Sequence, residues 1–174
     1  MQSTYRFEEY HCRDPLAYHR VILILEQTFS AQADELISIK RLARRVREGV
    51  EKMNPFIQQA NLHVCRRCAS ICCINKHGYY NREDLVYLFS LGMEPPPVIF
   101  GKNDTEPCQY LRENGCSMER WRRPSGCNWY FCDALLDYME PQPAYREFDE
   151  TLTEVAECWL EMVEEFRRIT ASDF

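Results

Sequence analysis

Apolar positions follow helical spacing at both ends of the chain and lose it in the middle. Asp14 before Pro15 forms a good N-cap and first-turn pair, and Leu16, His19-Arg20, Leu23, Ile24 and Gln27 continue a pattern that predicts a helix to about Thr28. From about Ala33 to Met53, Leu36, Ile39, Leu42, Ala43, Val46 and Val50 share one face, while Lys40, Arg41, Arg44, Arg45 and Arg47 fall largely on the other. Asn54-Pro55 is expected to kink the chain or restart a helix carrying Phe56, Ile57 and Ala60, because proline lacks an amide proton and clashes with the preceding turn. Helical spacing returns from Tyr145 to Thr170, with Phe148, Leu152, Val155, Trp159, Met162, Val163, Phe166 and Ile169 in one broad stripe. Acidic residues at its start and Arg167-Arg168 at its end suit the helix dipole.

Between Cys65 and Cys132 the only clear helix signal is NREDLVYLFSLG. Asn81 caps it, Asp84 completes a capping box, Leu85, Leu88 and Phe89 form its apolar face, and Gly92 ends it. Glu94-Pro95-Pro96-Pro97 then makes a stiff extended connector. In CQYLRENGCSM, Asn114-Gly115 is a type I′ turn signal joining two very short strands, which would bring Cys108 near Cys116. The expected fold is mainly α and a single domain over 1–174. A helical frame, 14–60 and 145–170, surrounds an irregular cysteine-rich metal-binding knob, 63–132, with a small β-hairpin.

The knob holds eight of the ten cysteines: Cys65, Cys68, Cys72, Cys73, Cys108, Cys116, Cys127 and Cys132. The opening MQSTYRFEEYHCRDP has no apolar stretch of the secretory kind, and Val21–Leu25 is too short to span a bilayer, so a cytoplasmic chain without a membrane anchor is expected. Thiols stay reduced there or bind metal, which argues against a disulfide framework. The sulfurs of a C-x-x-C turn such as Cys65-Arg66-Arg67-Cys68 converge on one point and form half a metal site. No strand-then-helix context marks this turn as a thioredoxin-type pair. Cys72 and Cys73 have α-carbons about 3.8 Å apart, below the usual disulfide range, and adjacent side chains diverge. They serve different centres, or one ligates beside a buried thiol. Two four-sulfur sites would use all eight sulfurs and one would leave four over.

Clustered thiolates suit an iron–sulfur cluster or zinc. A close trio, Cys65, Cys68 and Cys72, with a remote fourth is how many 4Fe–4S cubanes are held, which favours iron–sulfur, with zinc the alternative. Tyr110, Trp121, Trp129, Tyr130 and Phe131 could form a dry shell around a cluster or simply pack a small core. Cys65-x2-Cys68-x3-Cys72-Cys73, followed by CQYLRENGCSMERWRRPSGC, resembles the YkgJ-like, or CxxCxxCC, family of zinc- or iron-chelating cysteine-cluster proteins. The likeness extends over about 70 residues, through Asp84 in its helix, Cys108 with Leu111, Gly115-Cys116 and Arg123-Pro124-Ser125-Gly126-Cys127. It implies metal binding and little further.

Arg66, Arg67, Arg122 and Arg123 bracket the cysteines, where positive charge would favour thiolates and offset cluster charge. With Trp121 and Trp129 they could instead form a small RNA-stacking surface. His63 and His77 are expected at the surface or behind the ligands, Cys158 in the apolar stripe, and Cys12 as a free thiol. Net charge is −6, and the segment after Cys132 carries twelve acidic against three basic residues, so nucleic acid is not the expected partner. A protein partner on the acidic C-terminal helix is. No H-E-x-x-H, phosphate loop or G-x-S-x-G is present, leaving three function classes. These are an iron–sulfur or metal-binding protein with an electron-transfer, metal-handling or redox-sensing role, a zinc-stabilised interaction module, and a metal-dependent group-transfer enzyme.

Overall fold

A computed structural model of the chain describes residues 14–69, 72–74, 77–103, 105–113 and 115–170. Among these, Pro15–Ala31 form α1, Ile37–Val64 α2, Arg82–Ser90 α3, Gly126–Trp129 α4, Asp133–Met139 α5 and Tyr145–Thr170 α6. Leu111–Arg112 (β1) pair antiparallel with Gly115–Cys116 (β2), Leu111 opposite Cys116. No helix among the described residues is long and apolar enough to cross a membrane.

The molecule is built on α2 and α6, which run antiparallel: Lys52 pairs with Glu147 at 3.2 Å, and Ser38 at the other end of α2 bonds Glu165. Their expected stripes meet. Ile39, Leu42, Ala43, Val46 and Val50 of α2 are buried with Phe148, Val155, Met162, Val163 and Phe166 of α6. Cys158 is buried on the same stripe, as expected of a small apolar residue. The helices are in close contact at Gly49, where an added Cβ would stand 2.1 Å from Val155 Cγ2.

Asp14 accepts a hydrogen bond from the Leu16 amide and Pro15 opens α1, which extends to Ala31 rather than Thr28. α2 begins at Ile37, after a turn at 32–36, rather than at Ala33. It then continues through Pro55 as one helix, so of the expected kink or restart the restart does not occur. Proline inside a helix costs about 3 kcal/mol. Burial of Val50, Met53, Ile57 and Ala60 on both sides of it holds the two halves on one core and offsets that cost.

α3 carries the expected capping box, with Asn81 Oδ1 accepting from the Asp84 amide at 2.7 Å and Asp84 Oδ2 from the Asn81 amide at 2.9 Å. Gly92 ends it at φ 70°: the Met93 amide bonds Leu88 O and the Gly92 amide bonds Phe89 O, a Schellman motif. Phe29 of α1 lies between Phe89 of α3 and Phe166 of α6, at 5.8 and 5.9 Å.

α5 was not expected. Seven residues are too few for periodicity to register, yet Leu135 and Met139 are buried and the helix packs on α2. The hairpin pairing forms as expected; Asn114, half of the anticipated turn pair, lies outside the described residues, as does Cys12.

The Gly49–Val155 contact yields a direct prediction. Alanine improves helix propensity by about 1 kcal/mol, but overpacking costs about 1–3 kcal/mol, and Val155 is β-branched and stiff within its helix. Gly49→Ala is expected to lower unfolding stability in urea by about 1 kcal/mol net; a more stable variant would mean that the two helices are not in close contact there.

Candidate metal centre

The segment from Cys65 to Cys132 is mostly irregular, so its backbone polar groups need partners that no helix or sheet supplies. Side chains provide many of them. Tyr80 Oη donates to Arg122 O at 2.7 Å, Gln109 Nε2 to His77 O at 3.0 Å, and Tyr110 Oη to Pro97 O at 3.1 Å. Gln109 Oε1 accepts from the Ile99 amide at 2.7 Å. Asp84 reaches beyond its capping box: Oδ1 accepts from the Ser125 amide at 2.8 Å, tying α3 to the loop that leads into Cys127.

Each expected ligand has a defined place. Cys65 opens a 3-10 turn, Cys65–Arg67, at the end of α2, and its thiol lies 3.7 Å from Asn61 Oδ1. Cys68 ends that turn and is exposed. Cys72 and Cys73 start a second 3-10 turn, Cys72–Ile74, and Cys73 O accepts from the Cys108 amide at 2.6 Å. Cys116 lies in β2, Cys127 in α4, and Cys132 is the N-cap residue of α5. Cys65, Cys72, Cys73, Cys108, Cys116, Cys127, Cys132 and Cys158 are free thiols.

The sulfurs fall into two neighbourhoods. Burial pushes the Cys65 thiol up, and the charges that add to this are Cys132, then Cys72 and Cys68. Burial also raises Cys73, but there Cys108 and Cys116 act more strongly than the adjacent Cys72. Cys127 is pushed up to about 12 by burial, then by Cys108, Cys116 and Cys73. Cys108 is raised by burial and by Cys116, against hydrogen bonds from the Tyr110 and Leu111 amides. The stronger influences link Cys65 with Cys132, Cys72 and Cys68 in one neighbourhood and Cys73 and Cys127 with Cys108 and Cys116 in another, with Cys72 and Cys65 also acting on Cys73 across the two. Among the described residues, no three His, Cys, Asp or Glu side chains stand in the arrangement that holds a metal ion. The donor chemistry nevertheless fits a thiophilic cation: thiols kept protonated by burial and by one another ionise when a metal supplies the missing positive charge.

Gly78 serves the second neighbourhood. Its φ is 64°, and an added Cβ would stand 2.9 Å from the Tyr110 ring and 3.2 Å from Cys108 Sγ. His77 beside it is buried at φ 53°, whereas His63 is exposed and stacks on Tyr138 at 4.9 Å. The aromatics mostly take the packing role. Trp129 meets Trp159 of α6 at 5.9 Å, Phe131 meets Phe148 at 5.6 Å, and Trp121 lies under Arg47 of α2 at 4.0 Å. Arg66 and Arg67 are exposed, and Arg122 lies against Trp121. The cations that lower described thiols include Arg123, on Cys127, and Arg120, on Cys65. Arg120 is buried and was not singled out by its sequence neighbourhood.

Comparison with protein-family models, with curated proteins and with solved structures finds no match for the chain.

Asp84 makes the segment pH-sensitive. Burial pushes its carboxyl from 3.8 up to about 6, against the lowering effect of the Asn81 and Ser125 hydrogen bonds. A raised folded-state value means that the native state holds this proton more tightly than the unfolded chain. Stability from this group is therefore fully present below about 3.8 and is lost as pH rises through about 6. Between pH 7 and pH 4, urea unfolding should show wild type gaining on the order of 2 kcal/mol relative to Asp84→Asn. A difference that stays flat with pH would contradict the buried, protonatable carboxyl.

Proposed function

We propose that this is a metal-binding protein of the reducing, cytoplasmic compartment, with two four-thiolate centres in its irregular segment. Cys65, Cys68, Cys72 and Cys132 would hold one, and Cys73, Cys108, Cys116 and Cys127 the other. Iron–sulfur clusters of the 4Fe–4S type fit the close trio with its remote fourth ligand, and when bound they supply one-electron redox chemistry. The role is electron transfer, metal handling or redox sensing, and the resemblance to the CxxCxxCC proteins belongs to the same reading.

The observation that carries it is the division of Cys72 from Cys73. Adjacent residues ordinarily share surroundings, yet Cys72 is among the charges that raise Cys65, whereas on Cys73 Cys108 and Cys116 act ahead of Cys72 and Cys65. The Cys108 amide on Cys73 O draws that residue toward the hairpin, while Cys65 and Cys132 both lie at the edge of the α2 core. Such a division leaves no sulfur of the eight unused. Zinc is the second reading, supported by how little regular structure the segment contains: structural zinc contributes on the order of 10–16 kcal/mol, comparable to the roughly 5–15 kcal/mol stability of a whole domain.

Protein isolated anaerobically should contain about eight iron atoms with matching sulfide and visible absorption, or about two zinc ions if colourless. Cys72→Ser and Cys73→Ser should each retain about half of the metal, and the double variant almost none, because the two residues serve different centres. A double variant that retains half would assign both to one centre, and metal-free, colourless wild type would overturn the reading.

A further inference from the structure

On one side of the α2–α6 pair lies an open groove of about 230 Å3, lined by Arg45, Glu48 and Lys52 of α2 and by Thr151, Glu154 and Cys158 of α6. Beside it the two helices expose rows of opposite charge. On α2, Ile37, Arg41 and Arg44 recur at helical spacing with Arg45 alongside, and all four are exposed. On α6, Glu154, Glu157, Leu160, Glu161 and Glu164 do the same. Ile37 is 63% exposed and Leu160 67%, so each row also holds one large apolar side chain in water. The ion pairs of the described residues use other side chains. None joins Arg41, Arg44 or Arg45 to a carboxylate, and none gives Glu154, Glu157, Glu161 or Glu164 a cation. Like charges three or four residues apart on a helix repel. Two self-repelling rows of opposite sign thus run along adjacent helices without pairing across the groove.

An occupant that relieves both rows must offer carboxylates to α2 and cations to α6 at once, and a second copy of this chain does so. The register supports that choice. Ser38 bonds Glu165 and Lys52 pairs with Glu147, so along the antiparallel helices Arg41 is level with Glu161 and Arg44 with Glu157. A two-fold axis parallel to the helices keeps these heights and lays α2 of one copy over α6 of the other. Arg41 then meets Glu161 of the second copy, Arg44 meets Glu157, and symmetry makes each contact twice. A two-fold axis across the helices sets arginine on arginine instead. At 1.5 Å per residue and about 10 Å per helix, the stretch from Ile37 to Lys52 with its α6 neighbour covers roughly 500 Å2 per copy. That is the size of a transient interface rather than a permanent one.

We propose that this face is a self-complementary interface through which two copies associate reversibly into a four-helix dimer, held mainly by ion pairs between the α2 row of one and the α6 row of the other. It lies outside the cysteine segment and does not depend on metal binding.

The test is sedimentation equilibrium of the full-length protein, kept reduced so that no disulfide links the copies. Wild type should pass from monomer to dimer as its concentration rises to about 100 μM, and the association should weaken about 10-fold or more between roughly 0.05 M and 0.5 M salt. Arg41→Glu, Arg44→Glu and Arg45→Glu together make both rows acidic; Glu157→Lys, Glu161→Lys and Glu164→Lys make both basic. Each triple variant alone should dimerise at least about 10-fold more weakly than wild type, and an equimolar mixture of the two should recover wild-type association, because each offers the opposite sign to both rows of the other. Far-UV circular dichroism checks the fold. Should a triple variant fail to fold, Arg41→Gln with Arg44→Gln replaces it, with a smaller weakening expected. Wild type that stays monomeric at low salt, association indifferent to salt, a triple variant that dimerises like wild type, or a mixture no better than its components would overturn the inference.

Discussion

Gathering eight cysteines into one irregular segment sets sulfur against the ionisation of neighbouring sulfur, and burial adds to this at Cys65, Cys73, Cys108 and Cys127. Cys65, Cys73, Cys108 and Cys127 are all raised, first by desolvation and then, in part, by other sulfurs. A packed protein has no reason to concentrate such groups for stability alone. Valine or alanine would fill the same space without the latent charge. The crowding becomes favourable only when positive charge is placed among the sulfurs, and everything in the proposed function follows from that.

The rest of the molecule reads as a support for this arrangement. The antiparallel α2–α6 pair supplies a core that does not depend on the loops, and the loops plug into it with aromatic side chains: Trp121 under Arg47, Trp129 on Trp159, Phe131 on Phe148. Cys65 continues directly from α2 and Cys132 opens α5, which packs on α2, so sulfurs far apart in sequence come to the same helix end. Hydrogen bonds from Tyr80, Asp84, Gln109 and Tyr110 fix the intervening chain where no ladder or helix could.

The helical frame was legible because its signals are periodic and long. The α6 bounds, the α2 stripe and the Asn81–Asp84 capping box are all written in residue spacing. Three features were not. Pro55 signalled a kink or a restart, and burial on both flanks keeps one continuous helix; α5 is shorter than the period needed to detect it; and α2 starts at Ile37, where no side-chain cap marks its first turn. For the candidate site, spacing singled out the eight cysteines but not the contacts among them, such as the bond from the Cys108 amide to Cys73 O. Arg120 escaped for a related reason. Among Glu119, Arg120, Trp121, Arg122 and Arg123 nothing in the residue types distinguishes the buried cation from the others, and only its contact with Asn54, 66 residues away, does so.

The most direct test of the central claim is metal-edge X-ray absorption on the anaerobically isolated wild-type protein, which reads what surrounds the metal without any variant. The account predicts sulfur alone in the immediate coordination, four sulfurs per metal and about 2.3 Å away in the case of zinc. Coordination dominated by nitrogen or oxygen, or a metal with only one or two sulfurs, would contradict it.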